Sequence, residues 1–279
     1  MTDALTLRDL RTLDDCKRIV ELEKEIWGYG DSEDLVPAII LFLSAKRGGM
    51  LIGAERPDGT LAGFAYSMAS IVGGKPAQWS HMMGVVAAAR ASGLGRRLKL
   101  AQRDRALAMG IELIEWTFDP LQAVNAHLNF AKLGAIATTY AENIYGESSS
   151  VLHRGTATDR LIAEWWIQRP HVERRLAAAP FVARDRVVMD APVLNRVSAR
   201  GAWDAPGATT EIPAGAERVL IRIPPRFSDM QAQEPELARA WRAVTRELFT
   251  SCFAAGYRAV DFFKDDRAGG AYLLARAQD

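Results

Sequence analysis

The stretch Val85–Arg103, VVAAARASGLGRRLKLAQR, decides how this chain is read. Two valines and a run of alanines lead into Arg90-x-x-Gly93-x-Gly95. An amphipathic segment follows at once, with Leu94, Leu98, Ala101 and Ala108 on one face. The order is strand, glycine turn, helix. A helix start leaves backbone N–H groups without partners and carries partial positive charge, so it holds phosphate oxygens well. Gly93 and Gly95 lack a Cβ and let the backbone approach a diphosphate. Arg90 and Arg96 add charge-assisted contacts. The spacing is neither G-x-G-x-x-G nor the Walker A pattern, because the Lys-Ser/Thr pair is missing. Read alone, the same residues make an ordinary strand-to-helix turn.

Upstream, Leu5–Arg8 reads as a strand. A helix runs from Thr12 to Gly28, with Leu13, Cys16, Ile19, Val20, Leu22, Glu23 and Ile26 on its stripe and Asp14 and Asp15 in its first turn. A second helix starts near Leu35, with Pro37 in its first turn, and stops at Gly48-Gly49. Strands are predicted over 50–55, 61–71 and 78–87, with turns at 56–59 and 73–74. Downstream come a strand over 112–118, a helix from Asp119-Pro120 to Leu133 capped by Gly134, and a strand over 135–145. The texture then loosens. A strand is predicted over 161–168, and 191–213 reads as loops with short strands. A strand over 218–223, a helix over about 234–255 and strands over 258–263 and 271–275 complete the chain. The last β-α-β run loosely echoes 78–118.

The 279 residues are 49% hydrophobic and 25% charged, enough for a sizeable core in one large domain or two. Thirty-five basic residues against 34 acidic ones give a net charge of +1, without the basic excess of a nucleic-acid partner. The longest apolar run, 35–45, is shorter than the roughly 20 residues that span a bilayer, so no membrane partner is expected. Cys16 and Cys252 make neither a disulfide framework nor a zinc site, and no metal is expected. The opening MTDALTLRDL carries no apolar signal core, which points to a cytoplasmic protein.

One strand beyond the glycine turn stands WTFDPLQAVNAHLNFAKLGA, Trp116–Ala135. Together the two segments resemble motifs A and B of the GNAT superfamily of acyl-CoA-dependent N-acyltransferases. The resemblance covers about residues 4–155. SHMMGV, LKLAQR, WTFDPLQAVNAHLN and TDRLIAEW look like one branch of predicted acetyltransferases. It implies an α/β fold, a GNAT-like mixed curved sheet flanked by helices, with a C-terminal α+β extension. It implies a catalytic domain over 1–155 and a region over 156–279 that packs on it or forms a degenerate repeat of it. The co-substrate implied is acetyl-CoA or another acyl-CoA, succinyl-CoA among them. Val85, Val86, Arg90, Ser92, Gly93, Leu94, Gly95 and Arg96 would hold it, with Asn125 and Asn129 along the pantetheine. The Val86 N–H would stay free, where the strand splays, as an oxyanion donor. The implied acceptor is the primary amine of a small molecule, an amino acid among the options.

Many GNAT enzymes place a tyrosine four residues before the motif B glycine to protonate the leaving thiolate. Here that position is Phe130, which has no proton to give. Tyr140 and Tyr145, on the next strand, are the candidate acids, or else ordinary strand aromatics. His81, nine residues before Arg90, is the candidate base, or a hydrogen-bonded core histidine; its ordinary pKa of roughly 6.5 suits either. Glu115, Asp119, Glu142 and Glu147 are further carboxylates within reach of that role, with Asp119 also placed as a helix N-cap. Asp159 and Arg160, at the mouth of TATDRLIAEWW, are candidate substrate contacts, and Arg154 is a second candidate for a carboxylate. His127, His153 and His171 show no metal-ligand spacing. A catalytically silent acyl-CoA-binding module, suggested by Phe130, and a scaffold for a protein partner are the rival readings. A homodimer is left open.

Overall fold

The computed structural model describes residues 5–28, 35–146, 156–177, 191–200, 203–209, 211–265 and 269–276. Glu147, His153 and Arg154 lie outside the described residues. Of the described residues, those within Met1–Trp116 and Trp166–Gln168 form one compact unit, and those within Thr117–Glu147, His153–Trp165 and Arg169–Asp279 form another. The division therefore falls after Trp116, not at residue 155.

In the first unit the strands lie in the order β1 (Thr6–Asp9), β2 (Met50–Glu55), β3 (Leu61–Val72), β4 (Lys75–Val85) and β5 (Leu113–Phe118). The first four pair antiparallel, and β5 pairs parallel to β4, so the sheet is mixed. Gly73 and Gly74, at φ 55° and 77°, turn β3 back into β4 in the left-handed conformation that a two-residue hairpin needs. A parallel step needs a crossover, supplied by α3 (Leu94–Ala108).

Helices cover both faces of this sheet. On one side α1 (Leu13–Trp27) and α2 (Ala38–Lys46) bury Cys16, Ile19, Leu22 and Leu41 against Leu51, Phe64 and Tyr66. On the other side α3 buries Leu94, Leu98 and Ala101 against Ile52, Ala54, Ala62 and Ala65. Thr12 caps α1 in a reciprocal capping box with Asp15, and Gly28 ends it at φ 60°.

In the second unit the helix expected from Asp119 to Leu133 is two pieces. A short α4 (Ala123–Ala126) runs into a π-helical turn, His127–Lys132. Then follow β6 (Ile136–Ala141), β7 (Arg160–Trp166), α5 (Pro170–Ala177), the hairpin β8 (Asn195–Arg200) and β9 (Trp203–Thr209), β10 (Arg218–Ile223), α6 (Phe227–Gln233), α7 (Pro235–Ala254), β11 (Tyr257–Asp265) and β12 (Gly269–Arg276). The sheet order is β7-β6-β11-β12-β10. Two antiparallel pairs, β6–β7 and β11–β12, each preceded by a helix, thus meet edge to edge at β6 and β11.

The core of this unit is aromatic. Trp165, Trp241, Tyr272, Phe130, Phe227, Phe249 and Phe262 are wholly buried, and the Tyr272 ring meets Phe130, Phe249 and Phe262 at 5.6, 5.1 and 4.8 Å. Its hydroxyl donates to the Pro120 carbonyl at 2.7 Å, and Trp165 Nε1 donates to the Leu133 carbonyl at 2.8 Å, so neither polar tip is stranded. No helix among the described residues is long and apolar enough to cross a membrane.

Candidate active site

Strand β4 carries the candidate base. Tyr66 pairs with Met82 and Met68 with Trp79, so Ser80 and His81 together stand opposite the single residue Ser67. This bulge breaks the two-residue alternation. His81 and Met82 consequently both lie on the side of α1 and α2. The His81 ring meets Tyr66 edge to face at 6.1 Å and 87°, and Met82 packs into the same cluster. Ser80 is turned to the other side, against α3. His81 is exposed, yet the chain crowded around its ring takes away enough water to push its pKa below 6.5. At neutral pH it stands as a free base.

Past β4 the chain makes a single 3₁₀ turn, Ala87–Ala89, and reaches α3. Gly93 is the N-cap at φ 82°, and no side chain caps the helix. The helical ladder opens with Arg97 N donating to the Gly93 carbonyl at 3.1 Å, so the N–H groups of Leu94, Gly95 and Arg96 lie ahead of it. The first turn holds no acidic residue, and a Cβ built on Gly93 meets nothing within 4 Å. The Leu94 side chain is buried, which leaves only its backbone facing out. An uncapped, open, basic helix start fits the diphosphate of a coenzyme A thioester. Arg90 is exposed beside it, with Nε donating to the Val85 carbonyl at 3.3 Å, and the Ser92 hydroxyl donates to the Ala89 carbonyl at 2.7 Å. Val86 departs from expectation. Its N–H donates to the Ala62 carbonyl at 3.0 Å, because the pairing of β3 with the end of β4 carries on past Val85 instead of splaying. It is not a free oxyanion donor.

In the second unit Asn125 is exposed on α4, while Asn129 is 3% exposed and its Nδ2 has no partner among the described residues. Phe130 is wholly buried, edge to face with Phe118 at 5.9 Å. The widened turn, in which Leu133 N reaches the Leu128 carbonyl, changes the direction in which these side chains leave the helix.

The two tyrosines separate cleanly. Tyr140 donates its hydroxyl to Asp159 Oδ2 at 2.7 Å. Burial first, and then that carboxylate, hold its pKa far above 10, so Tyr140 is a poor proton donor. Tyr145 is exposed, shares a 2.6 Å hydrogen bond with Thr117 Oγ1, and lies under the Arg160 guanidinium at 5.5 Å.

Asp159 is wholly buried and already fully occupied. It accepts from Tyr140, from the Asn143 N–H at 3.0 Å, and from Arg246 Nε and Nη2 at 2.8 Å each. It braces the unit and leaves no oxygen for a substrate, contrary to the expectation from sequence. Arg160 donates Nη1 to the Asp159 carbonyl at 2.9 Å. Asp119 is not the N-cap expected from sequence, since α4 starts at Ala123 with Gln122 as its cap; it accepts the Leu121 N–H at 2.9 Å in the turn before the helix and takes a bidentate pair of 2.7 Å bonds from the buried Arg242. His171 Nε2 lies 3.0 Å from the Gly134 carbonyl. No group of three His, Cys, Asp or Glu side chains suited to a metal is gathered among the described residues.

Two titratable groups of the first unit are buried: Glu23, which the sequence reading placed on the stripe of α1 without assigning it a role, and Lys99 on α3, which it did not single out. Lys99 is 2% exposed, and Glu23 is wholly buried, its Oε1 without a partner among the described residues. Glu23 Oε2 accepts the Val36 N–H at 3.1 Å, and burial pushes its pKa up to about 7. The available signal was a charge standing among the apolar residues of a helix stripe.

No family model matches the chain, and no curated protein matches it. Among solved structures it is similar to the ribosomal-protein-S18-alanine N-acetyltransferase of Escherichia coli, at 16% identity and a TM-score of 0.47, over 64% of this chain and 99% of that one. It is similar to Chaetomium thermophilum Naa20 in complex with a bisubstrate analogue, at 13% identity and a TM-score of 0.46, over 60% and 91%. A third is Arabidopsis thaliana NAA60 with a bisubstrate analogue, at 13% identity and 0.45, over 58% and 98%.

Proposed function

We propose that this chain is a GNAT-type N-acyltransferase that moves a short acyl group, acetyl or succinyl, from acyl-CoA to the primary amine of a small molecule, an amino acid being one candidate. The observation that carries the reading is the open, uncapped start of α3 directly after the bulged strand that bears His81. Acyl-CoA supplies the activated carbonyl, with its diphosphate on the backbone from Gly93 to Arg96 and on Arg90.

His81, neutral above its lowered pKa, takes the proton of the acceptor ammonium directly or through water. The freed amine attacks the thioester carbonyl, the C–N bond forms, and the C–S bond breaks. The departing thiolate takes a proton. Of the two candidate tyrosines, Tyr145 is the one whose hydroxyl is not tied to a carboxylate. The products are an amide and free coenzyme A.

The test is thiol release from acetyl-CoA and succinyl-CoA across a panel of amines and amino acids, with coenzyme affinity measured by calorimetry. Tight coenzyme binding with no turnover on any amine would favour the silent binding module, the reading that Phe130 in the core and the tethered Tyr140 support. Failure to bind the coenzyme would remove both.

A further inference from the structure

Lys99 sits in the second turn of α3 with no carboxylate partner among the described residues, in an interior where lysine is almost never found unpaired. Its Nζ donates to Ser80 Oγ at 2.9 Å and stands 3.7 Å from the centre of the Trp116 ring on β5. Ser80 Oγ donates onward to Gln102 Oε1 at 3.1 Å, one turn along the same helix. Burial alone pushes Lys99 down to about 7, with no charged neighbour opposing it. One hydrogen bond and one aromatic face offset only part of the free energy of removing an ammonium from water. A methionine would fill the same volume without that penalty. The chain therefore keeps a destabilising residue at this point, and the point is the bulge of β4.

Ser80, the residue that Lys99 grips, is the half of the bulge that faces α3; His81 is the half that faces away. A bulge has no ladder of its own to hold its dihedrals, so something outside the strand must fix it. We propose that Lys99 is a positioning residue for His81: by clamping Ser80 to α3 it locks the bulge and so sets the place of the His81 imidazole on the opposite face. The clamp also ties that imidazole to the helix whose first turn is assigned to the coenzyme, two parts of one reaction held by a single side chain. This rests on the reading of His81 as the base.

The test uses the full chain with Lys99→Met and Ser80→Ala. Lys99→Met is expected to equal or exceed the wild type in resistance to urea, while its kcat falls 10- to 100-fold, about the effect of misplacing a catalytic group by an ångström. KM for acetyl-CoA is expected to stay unchanged. Ser80→Ala should lower kcat in the same direction, and the double variant should be no slower than Lys99→Met, because both break one clamp. The readout independent of turnover is the His81 imidazole signal in a proton NMR titration, identified by its loss in His81→Ala. Its chemical shift and pKa should move in both variants. An unmoved His81 signal in folded Lys99→Met and Ser80→Ala proteins overturns the proposal, as does a wild-type kcat in folded Lys99→Met. If Lys99→Met does not fold, Ser80→Ala alone decides. A wild-type protein that acylates no amine counts against the proposed reaction, while the NMR titration still decides the clamp.

Discussion

A histidine acts as a base only where its neutral form prevails, and His81 meets that condition through its surroundings. The chain crowded around its ring strips away water and lowers its pKa, so the neutral form is lost only as pH falls through a value below 6.5. The kcat/KM profile is expected to rise through one ionisation on the acid side of 6.5 and then stay level to pH 8. His81→Ala should lose roughly 10²-fold or more; a profile that His81→Ala leaves in place would assign the base elsewhere. A second residue-scale expectation concerns Arg242, whose side chain is 5% exposed against 14% for its partner Asp119. Arg242→Met strands a buried carboxylate and should cost about 3–5 kcal/mol in urea unfolding, most of it recovered by adding Asp119→Leu. His81 was singled out by its place ahead of the glycine turn, and the structure sets it on a bulge of β4 facing away from α3. Lys99 was not singled out, since a charged letter in a helix reads as surface until the packing shows which stripe it stands on; Glu23 was placed on its stripe, but not as a buried carboxylate. Asp159 was legible as important and misread in role: four donors claim it from inside the protein.

That a helix follows the Arg90–Gly95 turn was legible from sequence, because glycine spacing is a backbone signal and survives any packing; the structure starts α3 at Leu94. Gly93 sits at φ 82° with open space where a Cβ would go. Gly93→Ala should therefore cost only the left-handed backbone penalty, about 1–2 kcal/mol, and keep coenzyme affinity within a fewfold. Gly93→Asp pays the same backbone penalty and adds a carboxylate at the diphosphate site. Calorimetry is expected to show its acetyl-CoA affinity weakened on the order of tenfold or more beyond the alanine variant. Equal affinities for the two would move the diphosphate away from this turn. The helix after Asp119 was legible as an element and not in kind. Its apolar spacing fits an α-helix, whereas the unit closes a π-helical turn there, where Phe130 packs against Phe118 of the preceding strand and Tyr272 of a strand distant in sequence. The short strands expected within 191–213 are β8 and β9, whose bounds were not legible because their alanines, proline and glycine carry little alternating pattern.

At the scale of the molecule, the described chain beyond residue 155, apart from Trp166–Gln168, shares a compact unit with residues 117–146, a division no composition shift announces. Truncation after residue 155 removes Arg242 from Asp119, Asp159 from Tyr140 and the aromatic cover from Phe130. The fragment is expected to aggregate; a soluble and active fragment of residues 1–155 would refute this. Stability should also dip near neutral pH. Glu23, raised by burial from 4.5 to about 7, contributes fully below pH 4.5 and loses that contribution as pH rises through 7. Lys99, lowered from 10.5 to about 7, contributes fully above pH 10.5 and loses that contribution as pH falls through 7. In urea unfolding at pH 5, 7 and 9, Glu23→Gln is expected to flatten the acid-side slope and Lys99→Met the alkaline one. Unchanged slopes would return both groups to ordinary titration.

The meeting of β6 with β11 has a consequence for synthesis. Ala137 and its partner Ala259 are 122 positions apart. A ribosome adding about 5–20 residues per second therefore leaves the outer edge of β6 without its neighbour for roughly 6–24 s after β6 emerges. During that interval the nascent chain presents an unpaired strand edge, the kind of surface that recruits chaperones or other nascent chains. Slow codons between residues 142 and 256 would lengthen the exposure, so the yield of soluble protein should respond to translation speed in that window more than to speed elsewhere.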